Sequence, residues 1–316
     1  MAVEQIPMLS ENELIEERAS PTNVTSLTAG SPLSTAIDEF HGHMIRQGFT
    51  ENTIKSFLGD LRILTGYLGQ NRPVGEIATK DLNDFLLYLL YYRGKPCSPK
   101  SYARRVTTLK VLFGWLAEAG VLSRDPAAAV VHRPAFPPLP TILYEDQIEK
   151  LLETTRRLAQ SNKPDARPHL LVRLLLSTGI KKGECMSIQL NHIDLSDPKA
   201  PALYIHYDNP KMRHKERKLK LPPDLVPTLQ EYLAQYKPQT YLFPCTARNL
   251  EYVLRDVGQL AEIPVMVGFE TLRWTAAAQD YKAGTTSEIL RQKLGLSRIT
   301  WNDTAKKLKK LAGPAL

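Results

Sequence analysis

The sequence predicts a mainly α protein with a small antiparallel sheet, divided into two domains. Three observations carry this. Apolar residues recur at helical spacing through most of the 316 residues. Two short stretches in the second half, 202–207 and 217–221, alternate as strands do, with a basic turn between them. Between the halves lies RPAFPPLP (133–140), whose four prolines in eight positions bar helix and central strand alike. A chain of this length is also better served by two cores than by one.

Residues 1–30 begin acidic and turn rich in Ser, Thr, Pro and Gly, which predicts a mobile tail. Residues 31–132 read as a helical bundle. Ile37, Phe40, Met44 and Ile45 share one face of a first helix, which Gly48 ends. Thr50 can cap a second, running to Leu68 with Phe57, Leu58, Leu61 and Leu64 on its apolar face. Thr79 can cap a third that contains Leu82, Phe85, Leu86 and Leu89. Ser98 caps a fourth, with Pro99 at its first position, and Gly120 ends it. A turn at Asp125-Pro126 closes the bundle. Residues 133–141 form a stiff proline-rich linker. Residues 142–316 read as a mixed domain, with helices at 144–160, 169–178, 225–236, 247–260, 271–283 and 287–293 beside the strand pair.

Lys and Arg number 41 against 33 Asp and Glu, a formal charge of +8, which favours a polyanionic partner only modestly. Cys97, Cys185 and Cys245 are scattered and match no metal spacing, so they read as reduced thiols. Nothing in the sequence calls for a cofactor or a metal. The first residues lack the layout of a secretory signal, and no apolar run approaches the length of a membrane span. The expected location is cytoplasmic and nucleoid-associated.

Three blocks carry chemical information. LLLSTGIKKGECMSIQLNHIDL (174–195) places Lys181 after an apolar helix that ends in Thr178-Gly179, with Glu184 three residues on. NPKMRHKERKLKLP (209–222) holds six cations in ten positions, from Lys211 to Lys220. FETLRWTAAAQDYKAGTTSEILRQKLGLSRITWNDTAKKL (269–308) contains Leu272, Arg273, Ala283-Gly284 and Leu294-Gly295. Together, in this order and behind a helical domain, the blocks resemble the tyrosine recombinases, or phage integrases. The resemblance covers about residues 32–308. It implies an N-terminal core-binding bundle of SAM-like type, a C-terminal recombinase-like α+β domain, and a clamp of the two around double-stranded DNA. Lys211 stands at the family's general-acid lysine and Arg273 at one of its two phosphate-binding arginines.

The departures from the family pattern fall on its catalytic positions. Lys181 replaces the other arginine, Glu270 the first histidine, Trp274 the second and Leu296 the third; the nucleophile position is Ala305. The last tyrosine of the chain is Tyr281 and the last histidine His214. In phosphoryl transfer most of the catalysis is positioning and charge stabilisation. Lysine offers a point charge where arginine offers a bidentate fork. A carboxylate such as Glu270, about 4 Å from a phosphate, is repelled by about 4 kcal/mol at an effective dielectric of about 20. Pairing of Glu270 with Arg273, one helical turn away, would relieve this and occupy the arginine. Ser297, Thr300 and Thr304 have hydroxyls but no following histidine to activate them. Tyr281 reads as a packing residue.

The resemblance therefore implies a DNA-binding protein without intact catalytic residues. Its expected DNA contacts are Lys55, Lys100, Ser101, Arg104, Arg105, Lys181, Lys211, Arg213, Lys215, Arg217 and Arg273, and its vestigial positions are Lys181, Lys211, Glu270, Arg273, Leu296 and Ala305. The partners expected are double-stranded DNA, and beside it an active recombinase or further copies of the chain. Three alternatives stay open at this point: an active recombinase whose tyrosine comes from a partner chain, a protein-interaction scaffold without DNA affinity, and a dimeric helix-turn-helix regulator.

Overall fold

A computed structural model describes residues 27–130 and 138–312, which fall into two compact units. Residues 1–26, 131–137 and 313–316 lie outside the described residues, and with them most of the expected tail (1–30) and residues 133–137 of the expected linker (133–141).

The first unit is helical. Helix α1 (Leu33–Arg46) buries Leu33, Phe40 and Met44, and Gly48 turns the chain with φ +69°. The Thr50 hydroxyl caps α2 (Glu51–Leu68) by accepting the Thr53 N–H. Helix α3 (Thr79–Leu87) runs into a π-helical turn, Tyr88–Tyr92. Ser98 caps α4 (Pro99–Glu118) by accepting the Ser101 N–H. The apolar faces meet in one core that includes Leu61, Leu64, Leu82, Phe85, Leu109 and Phe113.

Two expectations need correction here. Thr79 is not the cap of α3: its hydroxyl donates to the Pro126 carbonyl at 2.7 Å, while Asp81 accepts the Ala78 N–H at 2.9 Å. Residues 27–30, placed in the tail by their composition, belong to the fold. Leu27 is buried, and the Ala29 carbonyl accepts the Gly75 N–H at 2.8 Å. Composition registers only that a segment is polar; it does not register a single apolar anchor beside a backbone bond.

The second unit opens with α5 (Glu145–Ala159), α6 (Arg167–Thr178) and the short α7 (Lys182–Met186). A three-stranded antiparallel sheet follows in the order β1 (Ile193–Asp194), β2 (Ala202–Ile205), β3 (Arg217–Lys220). Leu203 pairs with Leu219, and both are buried, while Lys218 and Lys220 on β3 face water. With two residues, β1 is too short for alternation to reveal. Helices α8 (Leu225–Tyr236), α9 (Ala247–Leu260), α10 (Phe269–Lys282), α11 (Ser287–Lys293) and α12 (Arg298–Ala312) complete the unit. Its main core spans α5 to α10. A second apolar cluster, with Ala277, Leu290, Leu294, Trp301 and Leu308, joins α10, α11 and α12. The fold is thus mainly α with a small antiparallel sheet.

Candidate functional site

Gly179 ends α6 in the left-handed conformation, φ +61°, and a Cβ there would lie 3.1 Å from the Leu294 side chain. This turn makes Lys181 the residue that precedes α7, and Glu184 accepts its N–H at 2.8 Å. Glu184 also takes a two-point fork from Arg217, at 3.0 and 2.9 Å, and the Tyr207 hydroxyl. Burial alone would raise the Glu184 carboxyl. The Arg217 bonds and charge, with the Lys181 N–H and Tyr207, instead hold it at about 2. Burial and the Glu184 carboxylate push the Tyr207 phenol up to about 12.

Three consecutive carbonyls at the end of α11 each receive one cation. The Lys293 carbonyl accepts from Arg217 Nε at 2.7 Å, the Leu294 carbonyl from Arg273 Nη2 at 2.6 Å and the Gly295 carbonyl from Lys181 Nζ at 3.1 Å. A second Arg273 nitrogen donates to the Gly179 carbonyl. Gly295, φ +58°, has no room for a side chain, since a Cβ would stand 2.6 Å from Arg217 Nη1. Burial lowers Arg273 to about 10, so it stays charged at neutral pH. Lys181 is lowered by burial, with Glu184 opposing and Arg273, Lys215 and Arg217 adding to the fall. Four cations therefore act on one another around one carboxylate. Backbone carbonyls orient Lys181 and Arg273; the one Glu184 carboxylate, 3.7 Å from Lys181 Nζ and forked by Arg217, offsets a single charge among the four, so the cluster can attract a further anion.

Lys181, Arg273 and Leu296 are brought to the same turn. Glu270 sits in the first turn of α10, exposed, where its charge complements the helix dipole. It makes no ion pair with Arg273 within 4.0 Å; the arginine is held by carbonyls instead. Lys211 is exposed on the 3-10 turn Pro210–Lys215, its N–H donating to Asn209 Oδ1, and no bond ties its ammonium to the cluster. Arg213 is exposed on the same turn. Ala305, Leu296 and Trp274 all pack against the apolar cluster of α10, α11 and α12, and so does Tyr281. Ser297 caps α12 through the Thr300 N–H, and Thr304 donates back to the Thr300 carbonyl.

Two residues expected on the DNA face are turned inward. The Arg217 side chain is only 9% exposed and committed to Glu184. The Arg105 side chain, also 9% exposed, bonds Asp60 and Cys97. Strand alternation and a helical charge run do not tell a buried arginine from a solvated one until its carboxylate, 33 or 45 positions away, is known. Asp60 also receives Arg104 at 2.8 Å and the Thr108 hydroxyl. Burial raises the Asp60 carboxyl, and the two arginines oppose the rise. Lys55 pairs with Glu51 at 2.6 Å on the surface, Ser101 bonds Ser98, and Lys100 is exposed. Sequence reasoning missed Tyr207 and the carbonyls of 293–295. Tyr207 stands at the end of an alternating run, and nothing marks a backbone carbonyl in advance.

Residues 37–120 match the N-terminal SAM-like domain of phage integrases, and residues 141–302 match the phage integrase family itself. A tyrosine recombinase XerC of Staphylococcus haemolyticus is 26% identical over 263 residues, 79% of this chain and 84% of that protein. A XerC of Mycobacterium leprae is 30% identical over 161 residues, 50% of this chain and 53% of that protein. Among solved structures, a XerH site-specific recombinase bound to palindromic difH substrate superposes with a TM-score of 0.68 at 17% identity, covering 90% of this chain and 94% of that one. A lambda integrase dimer bound to a COC' core site gives 0.67 at 16%, covering 86% and 76%. The phage integrase match, residues 141–302, spans the cation cluster, the basic hairpin, α10, α11 and the first turn of α12 in one stretch; the chain belongs to the phage integrase family.

Proposed function

We propose that this chain binds double-stranded DNA through phosphate contacts, cleaves no strand, and serves as an accessory or regulatory factor in DNA recombination. One observation carries the reading. At the position where the family's resemblance puts the attacking tyrosine, Ala305 offers a methyl group to an apolar cluster, and Trp274 and Leu296, at two of the histidine positions, pack on the same cluster. Three positions that the resemblance makes polar and catalytic hold partly buried apolar side chains here. The flanking cations survive: Lys181 and Arg273 converge at the turn of Lys293–Gly295. Positive charge attracts a duplex at any sequence, whereas a methyl group attacks no phosphorus.

Similar proteins support the DNA partner. The XerH and lambda integrase neighbours are complexes with DNA, and one lambda integrase neighbour is a tetramer on a Holliday junction. Lys211, Arg213 and Lys100, exposed and without an ion-pair partner among the described residues, are the phosphate contacts of first choice. Arg105 and Arg217 act beneath the surface and position it.

Two measurements test this reading together. A gel shift on random duplex should show affinity that falls steeply between about 50 and 200 mM salt. The same preparation should leave a supercoiled plasmid unrelaxed. Absence of binding at low salt would remove the DNA partner; relaxation by the purified chain would remove the claim of lost chemistry.

A further inference from the structure

We propose that Tyr91 and Tyr92 form a stacking platform for unpaired nucleotides, a binding site separate from the cation cluster of the second unit. The two tyrosines lie in the π-helical turn Tyr88–Tyr92, where the Arg93 N–H reaches back five residues to the Tyr88 carbonyl at 2.9 Å. Single π turns of this kind are uncommon and concentrate at functional sites. The turn keeps Leu89 fully buried and leaves Tyr91 67% and Tyr92 77% exposed. Their rings meet each other edge-on at 6.4 Å and 70°, so each keeps a face open to solvent. Tyr88 packs on Tyr67 with ring centroids 4.9 Å apart and a tilt of 32°, which anchors the turn to α2. Two adjacent exposed tyrosines on a supported turn offer flat apolar faces with a polar edge, the surface that aromatic recognition uses.

The charge around the pair selects the occupant. From residue 85 to 117 the chain has no Asp or Glu, and it has six Lys or Arg. Two of those six bond Asp60, whose single charge offsets one of them. Lys95 and Lys100 are exposed and Arg93 is half-buried, all within nine positions of Tyr91. Exposed rings in a segment whose nearby cations in sequence have no ion-pair partner among the described residues suit a polyanion that also has flat faces. That is single-stranded nucleic acid, whose bases stack on tyrosine while lysines follow the backbone. A duplex presents its phosphates but not its base faces, so the platform favours DNA that is locally open.

The inference rests on the DNA-binding reading above, and its test separates the two. Affinity of the full chain is measured by fluorescence anisotropy for a perfect duplex and for the same duplex with a central bubble of unpaired bases. The expected result is tighter binding to the bubble by about tenfold for each base that stacks. The Tyr91→Ala/Tyr92→Ala variant should lose that preference and keep its duplex affinity within about twofold, while Tyr91→Phe/Tyr92→Phe, which retains the rings, should keep it. Both pairs are exposed substitutions, and unchanged circular dichroism melting confirms the fold. Equal affinity of the wild type for both DNAs, or a preference that survives the alanine variant, overturns the platform and leaves duplex binding standing. Binding of neither DNA overturns both readings. If the alanine variant keeps the preference but loses self-association in light scattering, the patch is a contact between copies of the chain and the proposal is wrong.

Discussion

Arg217 and Glu184, 33 residues apart in sequence, face each other as a two-point ion pair at 3.0 and 2.9 Å, with the arginine Nε on the Lys293 carbonyl. One side chain thus fastens the basic hairpin to the turn after α6 and to the end of α11. Removing one member leaves a buried charge without its partner, which costs about 3–5 kcal/mol. Arg217→Ala should lower unfolding stability by that amount in urea titrations of the second unit's transition. Lys220→Ala, an exposed change three positions further along β3, should stay within about 0.5 kcal/mol.

The same pair sets an acid limit. The Glu184 carboxyl is held at about 2 in the folded chain against an ordinary 4.5. Between those values the unfolded chain takes up a proton that the folded chain refuses, so stability rises with pH there. The contribution, about 3 kcal/mol, is complete above the ordinary value and lost as pH falls through it toward 2. His169 adds a second component: burial, with Arg173 and Arg156, lowers its pKa from 6.5 to about 4. Its contribution is present above 6.5 and fades as pH falls toward 4. Urea titrations at pH 7, 5 and 3 should show the decline, and Glu184→Gln should flatten it below pH 4.5.

Gly295 is required by its backbone and by its neighbour. Its φ is +58°, and a Cβ would stand 2.6 Å from Arg217 Nη1 and 2.9 Å from Cζ. Gly295→Ala should therefore destabilise the fold by more than the roughly 1 kcal/mol that the left-handed conformation alone costs an alanine. In the Arg217→Ala background the clash is absent, so the same change should cost less than it does in the wild type. A double-mutant cycle reads the difference.

The sequence shows some parts of this fold plainly and hides others. Helix limits set by a hydroxyl or a glycine were legible, as at Thr50, Ser98, Gly48 and Gly179. Caps supplied from three residues inside were not, and Asp81 took the role expected of Thr79. The site divides in the same way. The positions of Lys181 and Arg273 followed from the order of motifs, and both meet the turn of residues 293–295. Glu270 does not form the contact ion pair with Arg273 that their spacing allows: it lies exposed in the first turn of its helix and acts on the arginine only through its charge, while carbonyls hold the guanidinium. Arg105 and Arg217 looked like surface cations because sequence shows charge but not depth.

Electrostatics of DNA binding provide a separate check. Each phosphate contact removed should reduce the slope of log affinity against log salt by about 0.9. Lys211→Ala/Arg213→Ala on the exposed turn should therefore flatten the slope by about 1.8 and leave stability unchanged. If the slope is unaltered, the hairpin does not lie on the backbone.

The proposal that this chain binds DNA and cleaves none of it turns on Ala305, which stands where the family resemblance puts the nucleophile and packs on the apolar cluster of α10 to α12. Its most direct test is incubation of the purified chain with a nicked duplex from which a cleaved segment diffuses away, followed by denaturing electrophoresis and mass spectrometry. No DNA should become covalently attached to the protein under conditions where the chain binds that duplex. A denaturant-resistant protein–DNA adduct, mapped to any residue of this chain, would contradict it.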